Sequence, residues 1–290
     1  MIWLIGNKGM LGTEVESLLK EHRMPYVATD CEIDIRNLEQ LQKFSSEKDL
    51  SWIINCAAYT TVDKAEDEPD LAFKINSDGP RNIAEIAKNK GAKLIHISTD
   101  YVFDGTKETA YLETDGPNPL GVYGKSKFQG ELNIIDSMKI YFIIRTGWLF
   151  GKNGPNFVYA MLKQFTEKND MRVVADQWGS PTYAPDLADF IIQIIRKASN
   201  AFGIYHFTNE GRITWYQFAG AIYERAKAKG IIPNTIQLIP IETREYPTKA
   251  KRPLNAILSK EKITKVFDLK LRPWQEALAD FISKLPGSVE

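Results

Sequence analysis

The chain has 290 residues, and its 37 Lys and Arg balance 37 Asp and Glu. A net charge of zero argues against a nucleic-acid-binding protein, and the 43% of apolar residues include no run of the ~18–20 that a membrane span requires. Because two cysteines are too few for a disulfide framework and the first residues lack the features of a signal peptide, we expect a cytoplasmic globular protein.

Short apolar runs alternate with helical patterns through the first half of the chain. The apolar runs, which we predict to be strands, are residues 1–5, 26–29, 52–57, 92–98 and 140–145. The helical patterns that follow them cover about 11–20, 38–46, 70–90 and 122–136. This alternation is typical of βαβ units, so the predicted fold class is α/β, with a Rossmann-like doubly wound parallel sheet over residues 1–150.

Beyond residue 150 the pattern is less regular, and prolines separate shorter elements. Helices are predicted near residues 156–168, 185–197, 214–228 and 273–285. We predict a smaller α+β domain over 151–290 that binds the substrate, and we expect elements from about 185–208 to join the first domain.

The turn after the first predicted strand contains three evenly spaced glycines. Gly6, Gly9 and Gly12 form a G-x-x-G-x-x-G pattern that leads into the first predicted helix. Small residues there let the backbone approach a pyrophosphate, whose charge lies at the helix N-terminus. The alternative is an ordinary strand-to-helix turn. The position at the first βα junction favours dinucleotide binding.

The second predicted strand ends at Asp30, about 20 residues after the glycine turn. A carboxylate there would bind the adenosine ribose hydroxyls and repel a 2′-phosphate, which favours NADH. Lys8 would attract the same phosphate, so the preference between NADH and NADPH stays open. The alternative for Asp30 is a solvated residue at a strand end. Asp34 and Ile35 would contact the adenine.

Tyr123 and Lys127 are four residues apart in a predicted helix, so they share one face. A phenol has a pKa near ~10, and a nearby ammonium group would lower that pKa towards the working range of a proton-transfer group. The alternative is an exposed pair on a surface helix. Thr99 follows a predicted strand at the edge where doubly wound folds bind ligands. Its hydroxyl would hold a substrate carbonyl beside Tyr123.

These motifs together resemble the extended short-chain dehydrogenase/reductase superfamily and, within it, the dTDP-4-dehydrorhamnose reductase family. The sequences STDYVFDG and VDKAE are more specific for this family than the glycines. The segments that carry the resemblance are Gly6–Gly12, Asn55–Thr60, Val62–Glu66, Ser98–Gly105, Tyr123–Lys127, Arg145–Trp148, Asp176–Thr182 and Arg252-Pro253.

The resemblance implies an enzyme that reduces dTDP-4-dehydro-L-rhamnose to dTDP-L-rhamnose with NADH or NADPH. Its partner would be a dTDP-linked 4-keto-6-deoxy-sugar, bound mainly by residues 151–290. Tyr123 would be the proton donor, Lys127 its electrostatic helper, and Thr99 the group that positions the keto oxygen. Family members also use Mg²⁺ in dimer contacts, so a homodimer is expected, but no spacing in this sequence locates a metal site.

The same resemblance implies two sets of binding residues. The implied cofactor contacts are Gly6, Gly9, Met10, Leu11, Gly12, Asp30, Asp34, Ile35, Ala58, Tyr59, Thr60, Tyr123 and Lys127. The implied substrate contacts are Thr99, Asp100, Trp148 and Arg252. Arg252 closes the basic segment 244–252, which has four basic residues and one acidic, whereas residues 61–70 have five acidic and one basic.

Two positions depart from the family pattern. Cys56 stands where Ala is frequent, and Gly147 stands where Ser or another small polar residue is frequent, which would loosen the sugar pocket. An epimerase, a dehydratase or a reductase of a different 4-keto sugar is the alternative enzyme, although a dehydratase would have Asp-Glu after Thr99 instead of Asp100-Tyr101. A non-catalytic homologue is the further alternative, but such proteins tend to lose the hydroxyls that are present here.

Overall fold

The computed structural model describes residues 1–232 and 235–286. The strands of this part are β1 (Ile2–Ile5), β2 (Tyr26–Thr29), β3 (Trp52–Asn55), β4 (Lys93–Thr99), β5 (Tyr141–Thr146), β6 (Leu149–Phe150), β7 (Asp170–Val174), β8 (Trp178–Gly179), β9 (Thr182–Tyr183), β10 (Gly203–His206), β11 (Ile213–Thr214) and β12 (Gln237–Ile241). The α-helices are α1 (Met10–Glu21), α2 (Leu38–Ser45), α3 (Val62–Ala65), α4 (Pro69–Phe73), α5 (Gly79–Lys90), α6 (Val122–Ser137), α7 (Phe157–Glu167), α8 (Ala184–Arg196), α9 (Trp215–Ala228), α10 (Glu261–Phe267) and α11 (Trp274–Ser283). No helix in these two ranges has both the length and the apolar character to cross a membrane.

Six parallel strands form the main sheet, in the order β2-β1-β3-β4-β5-β10. The strand order reverses between β1 and β3, and the carboxyl ends of both strands lie at the same edge because Ile5 pairs with Asn55. Ligands bind in the crevice at such a reversal. The predicted Rossmann-like α/β fold is confirmed.

Helices cover both faces of this sheet. On one face, α1, α8 and α10 contribute to a core that includes Val15, Ile191 and Phe267. On the other face, α2, α5 and α6 contribute to a core that includes Leu41 and Ile83. Apolar residues at helical spacing thus point at a sheet whose strands are apolar on both sides, which is why the predicted strands are continuous apolar runs.

The predicted helix over 70–90 is interrupted in the structure. One π-helical turn at Lys74–Asp78 separates α4 from α5. Such turns insert an extra residue in a helix and are frequent at functional sites. This turn contains Asn76, which is 1% exposed and lies near the candidate site.

A second hydrophobic core lies outside the main sheet. It is built largely from α7, α9 and α11 and includes Phe165, Phe218 and Phe281. Two elements beyond residue 150 return to the main sheet, since α8 packs on α1 and β10 pairs with β5. Helix α10, which was not predicted, also packs on β10. The division into domains 1–150 and 151–290 stays a prediction.

Candidate active site

The glycine turn joins β1 to α1 at the reversal point of the sheet. Gly6 has a φ of +82°, and its N–H donates to the Thr29 carbonyl at 2.7 Å. A Cβ on Gly12 would lie 2.0 Å from the Gly6 carbonyl oxygen, so only glycine lets α1 begin this close to β1. The protein's own packing therefore requires glycine at both positions.

Gly9 is different, because a Cβ there would meet its nearest atom, the Gly6 oxygen, at an ordinary 3.5 Å. It precedes Met10, the first residue of α1, and no side chain caps this helix. The first amides of a helix without a side-chain cap are suited to an anion. The turn thus fits the predicted dinucleotide phosphate, and internal packing alone does not require a glycine at this position.

Asp30 lies at the end of β2, beside the glycine turn. Its carboxylate accepts hydrogen bonds from the Lys8 N–H at 2.9 Å and from the Cys31 N–H at 2.8 Å. The Lys8 ammonium lies 3.4 Å from Glu32. The Asp30 carboxylate and the Lys8 ammonium, which were predicted to influence the choice between NADH and NADPH, therefore both lie next to the turn. Backbone N–H groups hold the carboxylate in place.

The two residues expected at the adenine have other contacts. Asp34 pairs with the Arg36 guanidinium, with an Oδ2–Nη2 distance of 2.7 Å. Ile35 is 7% exposed and packs against Gly79, where a Cβ would lie 2.6 Å from its Cδ1. The adenine contact of these residues stays a prediction.

The loop after β3 contains Ala58, Tyr59 and Thr60. The Asn76 side chain holds this loop, since its Oδ1 accepts from the Tyr59 N–H at 2.8 Å and its Nδ2 donates to the Tyr59 carbonyl at 3.0 Å. Asn76 also donates to the Ser126 hydroxyl in α6 at 3.1 Å. A buried Asn in a helical pattern gives no local sign of this role, so the sequence analysis missed it.

Thr99, Tyr123 and Lys127 come from β4 and α6, which end and begin at the same edge of the sheet. The Thr99 hydroxyl donates to Asp100 Oδ1 at 3.0 Å and accepts from the Tyr101 N–H at 3.2 Å. Lys127 is 2% exposed, and its ammonium donates to the Ile97 carbonyl at 2.6 Å. Burial lowers the pKa of Lys127 to about 8, while the nearby Glu131 carboxylate opposes this.

The electrostatics of Tyr123 differ from the sequence expectation. Burial raises the pKa of the Tyr123 phenol above its ordinary value, although a hydrogen bond with Thr99 acts in the opposite direction. The Lys127 ammonium, which donates to the Ile97 carbonyl, does not reverse this effect of burial. The raised pKa keeps the proton on the phenol at neutral pH, which is the form that a proton donor needs.

A fully buried ion pair lies one turn beyond Lys127 on α6. The Glu131 and Arg145 side chains are 0% and 2% exposed, and Arg145 Nη2 lies 2.6 Å from Glu131 Oε2. The Ser98 hydroxyl also donates to Glu131. This pair connects α6, β4 and β5 beneath the site. The sequence analysis missed it because Glu131 looks like an ordinary polar residue of an amphipathic helix.

Asp100 and Gly147 share one small space. Asp100 is 2% exposed, and burial raises its pKa to about 7. A Cβ on Gly147 would lie 2.2 Å from Asp100 Oδ2, so the carboxylate occupies the position that a side chain would take. The absence of a side chain at Gly147 therefore makes room for Asp100.

Trp148 has a φ of +50°, a strained value for a bulky residue. Its ring stacks on Trp215, with 3.4 Å between the ring centroids and 9° between the planes. Backbone strain of this kind is often found at functional sites. Trp215, which the sequence analysis did not single out, also lines a cleft of about 1020 Å³.

Arg252 lines the same cleft as Trp215. Its Nη1 donates to the Tyr101 hydroxyl at 2.9 Å, and its Nη2 lies 2.7 Å from Asp63 Oδ2. The Tyr101 ring meets the Tyr123 ring edge-on, with 5.6 Å between centroids. A residue far along the chain is thus connected to the Thr99 and Tyr123 region through one aromatic ring.

Within residues 1–232 and 235–286, no group of three or more His, Cys, Asp or Glu is arranged to hold a metal ion. His22 is exposed, while His96 and His206 are fully buried in β4 and β10.

A family model described as the RmlD substrate binding domain matches residues 1–286. The chain belongs to this family. A dTDP-4-dehydrorhamnose reductase from Aggregatibacter actinomycetemcomitans is 41% identical over 95% of this chain and 96% of its own. The spore coat polysaccharide biosynthesis protein SpsK of Bacillus subtilis is 37% identical over 98% of this chain and 97% of its own. The crystal structure of Bacillus anthracis dTDP-4-dehydrorhamnose reductase in complex with NADP has a TM-score of 0.92 and 37% identity, and covers 98% of this chain and 99% of that chain.

The RmlD match extends over both hydrophobic cores, so it concerns the whole arrangement and not only the Rossmann-like part. The resemblance expected from the STDYVFDG and VDKAE sequences is therefore confirmed. The roles of individual residues of this RmlD family member stay predictions.

Proposed function

We propose that the chain is an NAD(P)H-dependent oxidoreductase that reduces dTDP-4-dehydro-L-rhamnose to dTDP-L-rhamnose. One observation carries this proposal: Thr99, Tyr123 and Lys127 converge at the ligand-binding edge of the sheet, in a chain whose full-length relatives are named dTDP-4-dehydrorhamnose reductases. The NADP in the Bacillus anthracis structure supports a nicotinamide cofactor. Polysaccharide biosynthesis is the corresponding process.

The cofactor would lie along the edge formed by β1, β3 and β4. We assign its phosphates to the amides of Gly9, Met10 and Leu11, its ribose to Asp30, and its path to the loop with Tyr59. When bound, NAD(P)H supplies the hydride. The carboxylate of Asp30 favours NADH and the ammonium of Lys8 favours NADPH, so both cofactors belong to the proposal.

Tyr123 is the proposed proton donor. As negative charge develops on the C4 oxygen of the sugar, the phenol passes its proton to that oxygen and becomes a phenolate. Burial raises the pKa of Tyr123, so the phenol holds its proton at neutral pH and releases it because the alkoxide that forms at C4 is the stronger base. Lys127, on the same face of α6, would favour the phenolate that remains. Thr99 provides a second hydroxyl that positions the same oxygen.

The nucleotide part of the substrate would occupy the cleft of about 1020 Å³. Arg252 is the proposed diphosphate ligand because a guanidinium matches phosphate oxygens in a two-pronged contact. Trp148, stacked on Trp215, offers an aromatic face to the sugar. Asp100 lies behind Thr99 and would orient its hydroxyl.

The test is the consumption of NADH and NADPH with dTDP-4-dehydro-L-rhamnose, compared with UDP- and GDP-linked 4-keto sugars. We expect turnover with the dTDP sugar. Activity confined to a UDP or GDP sugar would refute the substrate and leave the reaction class. Tyr123→Phe should keep its affinity for the cofactor and lose ~10²–10⁴-fold in kcat, because only proton donation is removed. Near-normal turnover of this variant would refute the proton-donor role.

Three further parts of the proposal rest on composition and family resemblance and not on individual residues. We propose a cytoplasmic enzyme, on the composition of the chain. A homodimer and a contribution from Mg²⁺ stay predictions from the family resemblance. Gel filtration with and without MgCl₂ and EDTA measures both.

A further inference from the structure

The acidic segment 61–70 and the basic segment 244–252 meet in the structure. Asp63, on α3, accepts a hydrogen bond from the Ala250 N–H at 3.1 Å through Oδ1 and binds Arg252 at 2.7 Å through Oδ2. Asp67 pairs with Lys249 at 2.5 Å, but both of these side chains are more than half exposed. Two ion pairs thus join the segments, and the Asp63 contact orients the guanidinium in the cleft.

Glu66, one turn after Asp63, contacts a different element. Its Oε1 accepts from the Val122 N–H at 2.8 Å, at the first residue of α6. The residue before this helix is Gly121, which offers no side-chain cap, and a Cβ there would lie 2.6 Å from Glu66 Oε1. The carboxylate of Glu66, 56 residues away at the end of α3, therefore caps α6, where a negative charge is favourable.

Both contacts lead to Tyr123. Val122 is its neighbour in the chain, so Glu66 fixes the start of the turn that carries the phenol. Arg252 donates to Tyr101, whose ring packs edge-on against Tyr123. The carboxylates of Asp63 and Glu66 thus connect the substrate cleft and the proton donor through separate partners.

We propose that Asp63 and Glu66 are positioning residues of this site: Asp63 orients Arg252 for a nucleoside diphosphate, and Glu66 sets the position of Tyr123 by capping α6. This inference rests on the proposed function for its kinetic part. It also assigns a role to the VDKAE sequence, which lies outside the glycine turn and the Tyr123 helix.

The test compares Asp63→Asn, Glu66→Ala and Glu66→Gln with Asp67→Asn, a control on the same segment whose ion pair is exposed. Asp63→Asn keeps an acceptor for the Ala250 N–H but loses the charge that holds Arg252. We expect its KM for the dTDP sugar and its Kd for dTDP, measured by calorimetry, to rise about tenfold or more, with kcat within about threefold of the unchanged protein. Asp67→Asn should match the unchanged protein, since exposed pairs contribute little.

Glu66→Ala should show the opposite kinetic pattern. We expect kcat to fall about tenfold or more with KM for the sugar and Kd for NADPH nearly unchanged, because the cap of α6 is lost while the cleft is intact. Glu66→Gln should recover most of kcat, since its amide oxygen still accepts from the Val122 N–H.

Several outcomes would overturn the proposal. Equal dTDP affinities of Asp63→Asn and Asp67→Asn would refute the role of Asp63. The role of Glu66 would be refuted if Glu66→Ala and Glu66→Gln had equal kcat values. It would also be refuted if Glu66→Ala lost NADPH affinity to the same extent as it lost turnover. An unchanged protein that binds dTDP without reducing the sugar would refute the proposed function and the role of Glu66 with it. The dTDP affinities would then still decide the role of Asp63.

Discussion

The buried pair of Glu131 and Arg145 gives the sharpest stability prediction. Replacing Arg145 with Met leaves a carboxylate that is 0% exposed, with the Ser98 hydroxyl as its remaining side-chain partner among the described residues. Three hydrogen bonds are lost at once, from Arg145 Nε to Oε1 at 3.0 Å and to Oε2 at 3.2 Å, and from Nη2 to Oε2 at 2.6 Å. Since water cannot replace them at this depth, the carboxylate must stay unpaired or take up a proton.

Removing one partner of a buried ion pair costs about 3–5 kcal/mol in the free energy of unfolding. For a chain of this length, that corresponds to a fall in Tm of roughly 5–8 °C. Replacing both partners costs less, because apolar residues of similar volume fill the space and leave no buried charge unpaired. We therefore expect the double variant Glu131→Leu with Arg145→Met to be more stable than Arg145→Met alone.

The assay is thermal unfolding followed by circular dichroism at neutral pH, with denaturant unfolding to obtain free energies. Lys163→Met is the matched control, because its pair with Glu167 on α7 is exposed and lies at 3.9 Å. Its free energy of unfolding should change by about 1 kcal/mol or less. Two results would contradict the reasoning. One is a Tm of Arg145→Met within about 2 °C of that of the unchanged protein. The other is an Arg145→Met variant that is no less stable than the double variant.

Two further predictions concern pH and the glycine turn. His206 is fully buried, and burial together with the Arg145 charge lowers its pKa to about 3. As the pH falls below ~6.5, this histidine takes up a proton in the unfolded chain before it does so in the folded protein. The free energy of unfolding therefore decreases between about pH 6.5 and pH 3. His206→Leu should not show this loss. The difference in free energy of unfolding between His206→Leu and the unchanged protein should therefore shift in favour of the variant by about 2 kcal/mol from pH 8 to pH 5. The same difference at both pH values would refute this. Gly12→Ala should lower the free energy of unfolding by about 1–3 kcal/mol because its Cβ meets the Gly6 oxygen, whereas Gly9→Ala should fold normally and lose NADPH affinity. If thermal unfolding and NADPH titration give the two alanine variants the same profile, the distinction between the glycines is wrong.

The local parts of the site could be predicted because their chemistry is contained in short segments. A glycine turn needs only neighbouring residues, and Tyr123 and Lys127 share a face through helical spacing alone. The parallel sheet also follows from the alternation of strands and helices, whereas the strand order β2-β1-β3-β4-β5-β10 is known only from the structure. Asn76 had no such signal, since its partners are the backbone of Tyr59 and the hydroxyl of Ser126, 17 and 50 residues away.

The sequence by itself therefore determined the fold class, the family and the elements that carry Thr99 and Tyr123. Tertiary structure decided which charges are paired and how deeply they are buried. Burial raises the pKa of Tyr123, whereas its spacing from Lys127 suggested a lowered pKa. Asp63 meets Arg252 across 189 residues of chain. Burial and long-range pairing depend on all the elements packed around a group, and for that reason periodicity and spacing along the chain do not contain them.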